Sequence, residues 1–334
     1  MSNLFVWISD VHLSLKNLDV AIQVLRQALI KARELNLPLF ISGDLNDTKA
    51  LMRSEWVSAL IKLFSEFNDI KIYILTGNHD MDNKNSSTHS LEFLKQSSNV
   101  RIIDEPKVEY INGHPFYCIP YCINADSFRE ALNKARANGI KKVIAHQGVK
   151  GSWMGDYLVD ESSIDPEEFA DFDIVLLGHY HKFQKNLNYV YCGSPFTVNV
   201  SEADQMKFFH VVKLVNNKID FDHIQTEARR HLKIEVASDM DYQNLKPQPN
   251  TLVHVVLKGP KEFVKKYNDA EKIRNILQCL SVTIIPDIER QSEHRISADI
   301  LHSPLKVIDA YLEKAETILD KDNLIDEVLI SIFK

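Results

Sequence analysis

The chain has 334 residues, with 39 Lys and Arg against 46 Asp and Glu for a formal net charge of -7, and 45 % of it is aliphatic, aromatic or cysteine. That length and apolar content fit one large and one small domain, while the acidic balance argues against strong unaided binding to a nucleic-acid backbone. No apolar run is long enough to span a bilayer, and Cys118, Cys122, Cys192 and Cys279 lack Cys-x-x-Cys spacing, so they read as reduced core thiols rather than as a disulfide framework.

In chain order, an apolar run at residues 4–8 reads as a buried strand and leads into Asp10-Val11-His12. Residues 18–34 carry Val20, Val24, Leu25, Ala28 and Leu29 at helical spacing, and a strand at 37–41 precedes Gly43-Asp44-Leu45-Asn46-Asp47. A helix at 52–66 with Trp56, Val57, Leu60, Ile61 and Phe64 is followed by a strand at 72–75 and Gly77-Asn78-His79-Asp80. A helix at 127–138 closes on Gly139, a strand at 143–145 ends at His146, and one at 174–177 ends at Gly178-His179-Tyr180-His181. This alternation predicts a layered α/β domain. Further strands follow at 189–191, 208–213 and 218–224. Beyond them, strands at 232–236, 251–257 and 281–285 with a helix at 261–277 predict a compact α+β domain. Two helices complete the reading, one opening at Ser303-Pro304 and one from residue 323 with Leu324, Ile325, Val328, Leu329, Ile332 and Phe333 on a wide apolar face. The N-terminal run reaches Asp10 with no basic segment before it, which predicts a cytoplasmic protein.

Every one of the five motifs lies at the C-terminal end of a predicted strand, where ligands from distant positions converge on one rim. Aspartate, an asparagine carbonyl and neutral imidazoles suit Mn, Fe or Zn, and the absence of cysteine from the motifs argues against a thiolate structural site. Any one motif arises readily by accident; five in order, each behind a strand, do not. The other histidines, His89, His114, His210, His223, His231, His254, His294 and His302, read as structural or solvent-facing.

The order and spacing of the motifs resemble the calcineurin-like metallophosphoesterases. The resemblance implies a four-layer α/β/β/α sandwich holding two divalent ions, manganese first, with magnesium, iron or zinc as alternatives. Asp10, His12 and His181 correspond to ligands of one ion, Asn78, His146 and His179 to ligands of the other, and Asp44 to the bridging carboxylate. Ions about 3.5 to 4 Å apart lower the pKa of bound water toward 7 and stabilise the attacking and leaving oxygens of an in-line displacement at phosphorus. His79 corresponds to the residue that protonates the leaving oxygen or stabilises the transition-state charge, with Asp80 placed to hydrogen-bond its imidazole.

The longer layout is similar to the nuclease subunit of SbcCD-type repair and recombination complexes, in the short form found in phages. Besides the metal motifs, Tyr191-Cys192-Gly193-Ser194-Pro195, Glu202 and Arg229-Arg230-His231 carry the resemblance. It implies a nuclease domain at 1–228, a capping domain at 229–300 and a helical docking segment at 301–334. The implied activity is cleavage of DNA as exonuclease and endonuclease, by a homodimer working with an SbcC-type coiled-coil ATPase and without a membrane. Residues 52–66 and 89–96 occupy the positions of the dimer helices. Asp47 stands where archaeal and eukaryotic relatives carry a histidine, and Asp47, Lys49, Arg53, Lys84, Lys150 and Lys182 flank the motif loops as candidate substrate contacts. The other readings are a phosphodiesterase or phosphatase acting on a small molecule, with the same chemistry at the ions, and a scaffold subunit with a dead site.

Overall fold

The computed structural model describes residues 2–47, 49, 52–81, 88–154, 164–203, 205–216 and 218–288. The two C-terminal helices expected at 301–334, and residue Lys84, lie outside them. The first sheet grows from β1 (Ser2–Ile8), β2 (Leu39–Ile41), β3 (Ile72–Leu75) and β4 (Val100–Ile103), all parallel, joined in part by α1 (Leu18–Leu35) and α2 (Ser54–Glu66). β5 (Lys107–Ile111), β6 (His114–Ile119), β7 (Lys142–His146), β8 (Ile174–Gly178), β9 (Gln184–Lys185) and β10 (Tyr189–Tyr191) make the second sheet, with α3 (Ala125–Ala137) between β6 and β7. The chain then returns to the first sheet as β11 (Phe208–Val215) and β12 (Lys218–Gln225). The two strand orders are β12-β11-β1-β2-β3-β4 and β5-β6-β7-β8-β10-β9.

Side chains alternate along a strand with period two, and here that alternation builds the layers. In β1, Val6 and Ile8 face a core shared with Val24, Leu25 and Leu29 of α1 and with Trp56, Leu60 and Phe64 of α2. Phe5 and Trp7 face the other way, into a core between the sheets with Phe40, Tyr73, Phe116, Ile144 and Leu176. In β7, Ile144 joins that middle core, while Val143 and Ala145 pack with Phe128 and Leu132 of α3. The result is the expected α/β/β/α sandwich. Strands buried on both faces read as continuous apolar runs, which is why they are legible in the sequence.

The helix boundaries shift where side chains cap them. Helix α3 starts at Ala125, before the expected residue 127, because the Asn124 side chain accepts from the Ser127 backbone N–H at 2.8 Å. Helix α2 buries Trp56, Leu60, Leu63 and Phe64 against its own sheet and leaves Ile61 exposed. Residues 89–96, read as the second dimer helix, contain one short 3₁₀ turn at Glu92–Gln96.

A third sheet of order β13-β14-β15 comprises β13 (Arg230–Val236), β14 (Thr251–Gly259) and β15 (Ser281–Ile288), with a short helix α4 (Asp239–Gln243) between the first two. The single helix expected at 261–277 is in fact two, α5 (Lys261–Tyr267) and α6 (Ala270–Leu277). Asp269 caps the second, accepting from the Lys272 N–H at 3.0 Å. The chain packs as two units, Met1–Leu257 with Asn268–Pro286, and Lys258–Tyr267 with Asp287–Lys334. Of the second unit, residues 258–267 and 287–288 are described. All four cysteines are free thiols, and none of the described helices is long and apolar enough to cross a membrane.

Candidate metal centre

β1, β2 and β3 of one sheet and β7 and β8 of the other end at the same rim, each at one of the five motifs. The loops are tied together there by their backbones: Asp10 N donates to Gly43 O at 3.1 Å, His12 N to Asp44 O at 3.0 Å, and Leu13 N to Leu45 O at 2.9 Å. Asp10, His12, Asp44 and His179 all have positive φ, from 46° to 112°, a region uncommon for non-glycine residues, and four of them meet at this rim. The glycines before two of the motif residues are required by close approach. A Cβ on Gly77 would lie 2.2 Å from Asp44 Oδ1 and 2.4 Å from Asp44 N, and one on Gly178 would lie 2.2 Å from the Ser42 carbonyl oxygen.

Asp10, His12 and His181 form one group whose donor atoms lie within 4.8 Å of one another, and Asp44, His146 and His179 form a second. One oxygen of Asp44 stands between the groups: Oδ2 is 3.3 Å from His146 Nε2 and 3.7 Å from His12 Nε2. Asn78 Oδ1 completes the second group, 3.1 Å from His146 Nε2 and 3.0 Å from His179 Nδ1. All seven sequence-selected ligands are therefore brought together.

The outer ring nitrogens decide which inner ones carry lone pairs. His146 Nδ1 donates to the Ser42 carbonyl at 2.8 Å and His181 Nδ1 donates to Glu202 Oε1 at 2.7 Å, so the Nε2 of each ring turns its lone pair inward. His181 Nε2 meets His12 Nε2 at 2.9 Å, and His12 Nδ1 lies 3.4 Å from Asp47 Oδ1. Lone pairs of nitrogen and oxygen thus crowd two adjacent points, an arrangement that divalent cations satisfy and that hydrogen bonds satisfy poorly. The donor set fits a pair of metal ions.

The electrostatics carry the same signature. Burial pushes the Asp44 carboxyl up, but His146, His12 and His79 outweigh it and hold the group well below the usual carboxylate range. Burial pushes His146 down, and Asp44 with Asp10 and the Ser42 carbonyl more than reverses this, to about 9: the carboxylates hold a proton on Nε2, and a metal ion would displace that proton to use the lone pair. His179 is carried down to about 4 by burial and by His146, leaving a neutral imidazole, the ligating form. Perturbations of this size in one cleft are typical of functional sites.

His79 lies at the edge of the group with its side chain about a third exposed (34 %). Its backbone N–H donates to Asp44 Oδ1 at 2.8 Å, and its Nδ1 donates to the Asp47 carbonyl at 2.9 Å, so Nε2 is the nitrogen that carries the lone pair of the neutral ring. Asp80 does not orient it. Asp80 is fully buried and accepts from Asn46 N at 2.8 Å and Gly77 N at 2.9 Å, so it braces the two loops; burial and the neighbouring Asp44 raise its carboxyl to about 7. The partner of His79 is Asp47, which also faces His12.

Of the flanking cations, Lys49, Arg53 and Lys150 are exposed, and Lys182 reaches over the Trp153 ring at 6.0 Å. Residues that sequence reasoning left without a role prove central. Glu202 holds His181, is held in turn by Lys207 Nζ at 2.6 Å and Ser194 Oγ at 3.1 Å, and has its carboxyl carried down to about 2, because His181 and Lys207 outweigh its burial. Tyr121 stacks on His179, with ring centroids 6.1 Å apart. In the sequence Glu202 stands out only as part of the segment that carries the resemblance, with no role attached, and nothing there marks Lys207 or Tyr121.

Comparison with known proteins agrees with this geometry. The calcineurin-like phosphoesterase family matches residues 4–183. The chain is 20 % identical to exonuclease subunit 1 of Enterobacteria phage T4 over 94 % of each chain. It is 26 % identical to the DNA double-strand break repair protein Mre11 of Methanocaldococcus jannaschii, over 81 % of this chain and 74 % of that protein. It is also 26 % identical to a subunit of the nuclease SbcCD of Staphylococcus saprophyticus, over 61 % of this chain and 63 % of that protein. The chain belongs to the calcineurin-like phosphoesterases, a dimetal-dependent family, and is a hydrolase of phosphodiester bonds.

Proposed function

We propose that this protein is a metal-dependent DNA nuclease of repair or recombination, acting as exonuclease and endonuclease with a coiled-coil ATPase subunit. The observation that carries this reading is that the likeness to the phage exonuclease subunit covers 94 % of both chains, well beyond residue 183 where the family match ends. In the proposal Asp10, His12 and His181 hold one ion, Asn78, His146 and His179 the other, and Asp44 bridges, with manganese the expected metal. When bound, the ions supply a nucleophile at neutral pH and charge stabilisation at phosphorus. His79 presents Nε2 to the leaving oxygen while the Asp47 carbonyl fixes its Nδ1–H. Glu202 and Ser42 fix the orientation of His181 and His146. The division at 1–228, 229–300 and 301–334, homodimerisation and docking of an ATPase through the last segment belong to the same proposal, and a partner's basic surface would offset the net charge of -7.

The test is cleavage of end-labelled double- and single-stranded DNA with Mn²⁺, Mg²⁺ or EDTA, beside bis-p-nitrophenyl phosphate. Manganese-dependent DNA cleavage is the expected result. Hydrolysis of the small ester with intact DNA, even after the ATPase subunit is added, would instead assign the protein to small-molecule phosphodiesters.

A further inference from the structure

Trp153 is the one tryptophan of the chain held at the surface: Trp7 and Trp56 are 0 % and 1 % exposed, whereas Trp153 is 45 % exposed. Its main chain is nonetheless fixed. Its N–H donates to Gln184 Oε1 at 2.9 Å, and Gln184 Nε2 donates back to the Trp153 carbonyl at 2.6 Å. The preceding Ser152 is buried, with its hydroxyl 3.3 Å from Tyr189 OH. A half-exposed indole on a rigid mount is a prepared apolar surface.

Its position gives that surface a use. The Lys182 ammonium stands 6.0 Å from the ring centroid, and Lys182 directly follows His181 in the chain. Met154, next to Trp153, lines a cleft of about 250 Å³ together with Tyr180, Lys182 and Gln205, and His179 and His181 line the same cleft. A flat ring with a cation over one face, free to pass to a phosphate when a base takes the ring, and a phosphodiester centre at the adjoining cleft repeat, at one nucleotide's scale, the means by which single strands are gripped: bases stack on aromatic rings while cations follow the backbone.

We propose that Trp153 is a stacking platform for an unpaired nucleobase next to the scissile phosphate, with Lys182 on the adjoining phosphate. This rests on the DNA reading of the metal centre and deepens it: the preferred strand at the site is single-stranded or frayed, because a paired base inside a duplex has no free face to offer.

The test uses the full-length chain in a His79→Ala background with Mn²⁺, so that the strand is bound while cleavage is slow, with strand integrity checked on a gel. Binding of labelled oligothymidylate is compared with binding of an abasic strand of the same length. With Trp153 present, the thymidylate strand binds more tightly by about 5- to 150-fold, the range that stacking of one base supplies. Trp153→Ala abolishes the preference and Trp153→Phe keeps most of it. Tryptophan emission is quenched by the thymidylate strand only when Trp153 is present. An unchanged preference in Trp153→Ala, with no quenching in the parent, overturns the platform while leaving the nuclease reading intact. A parent protein that binds neither strand, even after the ATPase subunit is added, overturns both.

Discussion

Replacing Glu202 by glutamine keeps the shape of the side chain and removes its charge. Three consequences can be worked from the geometry. The Glu202 carboxylate accepts from His181 Nδ1 at 2.7 Å, Lys207 Nζ at 2.6 Å and Ser194 Oγ at 3.1 Å, and the Glu202 and Lys207 side chains are only 6 % and 7 % exposed. Breaking a buried pair from one side leaves the other charge uncompensated, worth about 3–5 kcal/mol. For a chain of this size that lowers the melting temperature by roughly 4–7 °C. Replacing the charged acceptor of a candidate ligand histidine by a neutral amide oxygen weakens the bond that makes its ring more basic, and metal binding falls by about 10- to 100-fold. The pH dependence has a definite sign. Glu202 is depressed from 4.5 to about 2, so its contribution is complete above pH 4.5 and is lost as the pH falls toward 2; the gap between parent and variant narrows in that window. Calorimetric metal titration and thermal unfolding measure the two effects separately. Adding Lys207→Met to Glu202→Gln recovers most of the stability, because no buried cation remains, but not the metal affinity. A Glu202→Gln protein that binds manganese as tightly as the parent would refute the argument that the charge of Glu202 strengthens His181 as a ligand.

Three further outcomes are expected. His79→Ala keeps both ions, measured by metal analysis, and lowers turnover of bis-p-nitrophenyl phosphate by roughly 10²- to 10⁴-fold; full activity would remove His79 from the proposed chemistry. Gly77→Ala drives a methyl group into the backbone and carboxylate of Asp44, so metal content and activity fall together, and a variant with normal metal content would contradict the contact. Burial holds His210 down to about 4 from 6.5, with its Nε2–H donated to the Cys192 carbonyl at 2.9 Å. Its neutral form contributes up to about 3 kcal/mol above pH 6.5, lost as the pH falls toward 4. Imidazole NMR titration checks this, and a His210 resonance moving near pH 6.5 would rule it out.

The metal ligands are legible because each follows an apolar strand directly, so a short local pattern marks both the element and the donor. What escapes is whatever depends on tertiary placement. β4 and β5 are edge strands of their sheets; Arg101 and Tyr110 turn outward, and neither strand ends at a motif, so their alternating sequences carry no flag. Adjacency in sequence pairs Asp80 with His79. The turn after Gly77 instead sends Asp80 inward to two backbone N–H groups and leaves Asp47, from another loop, to hold His79. Glu202 and Lys207 meet His181 only because the chain passes back beneath it after β10, a contact that no spacing encodes.

The positive φ angles of Asp10, His12, Asp44 and His179 explain why the site sits where the strands stop. Extended residues two apart share a face but stand nearly 7 Å apart, a spacing that spreads donor atoms along a sheet rather than around a point. A left-handed residue at the strand end curls the chain, and here it brings donors of separate loops within 4.8 Å. Each such residue costs about 1–3 kcal/mol, so the conformation persists only where the surroundings over-determine it. The cross-loop bonds do that: Asp10 N to Gly43 O, His12 N to Asp44 O, His179 N to Asp10 Oδ1 at 3.0 Å and His79 N to Asp44 Oδ1. Two of these bonds end on candidate ligands' own carboxylates. The atoms that would hold the ions therefore also hold the loops, and the strain, the bracing and the ligation are properties of one set of residues.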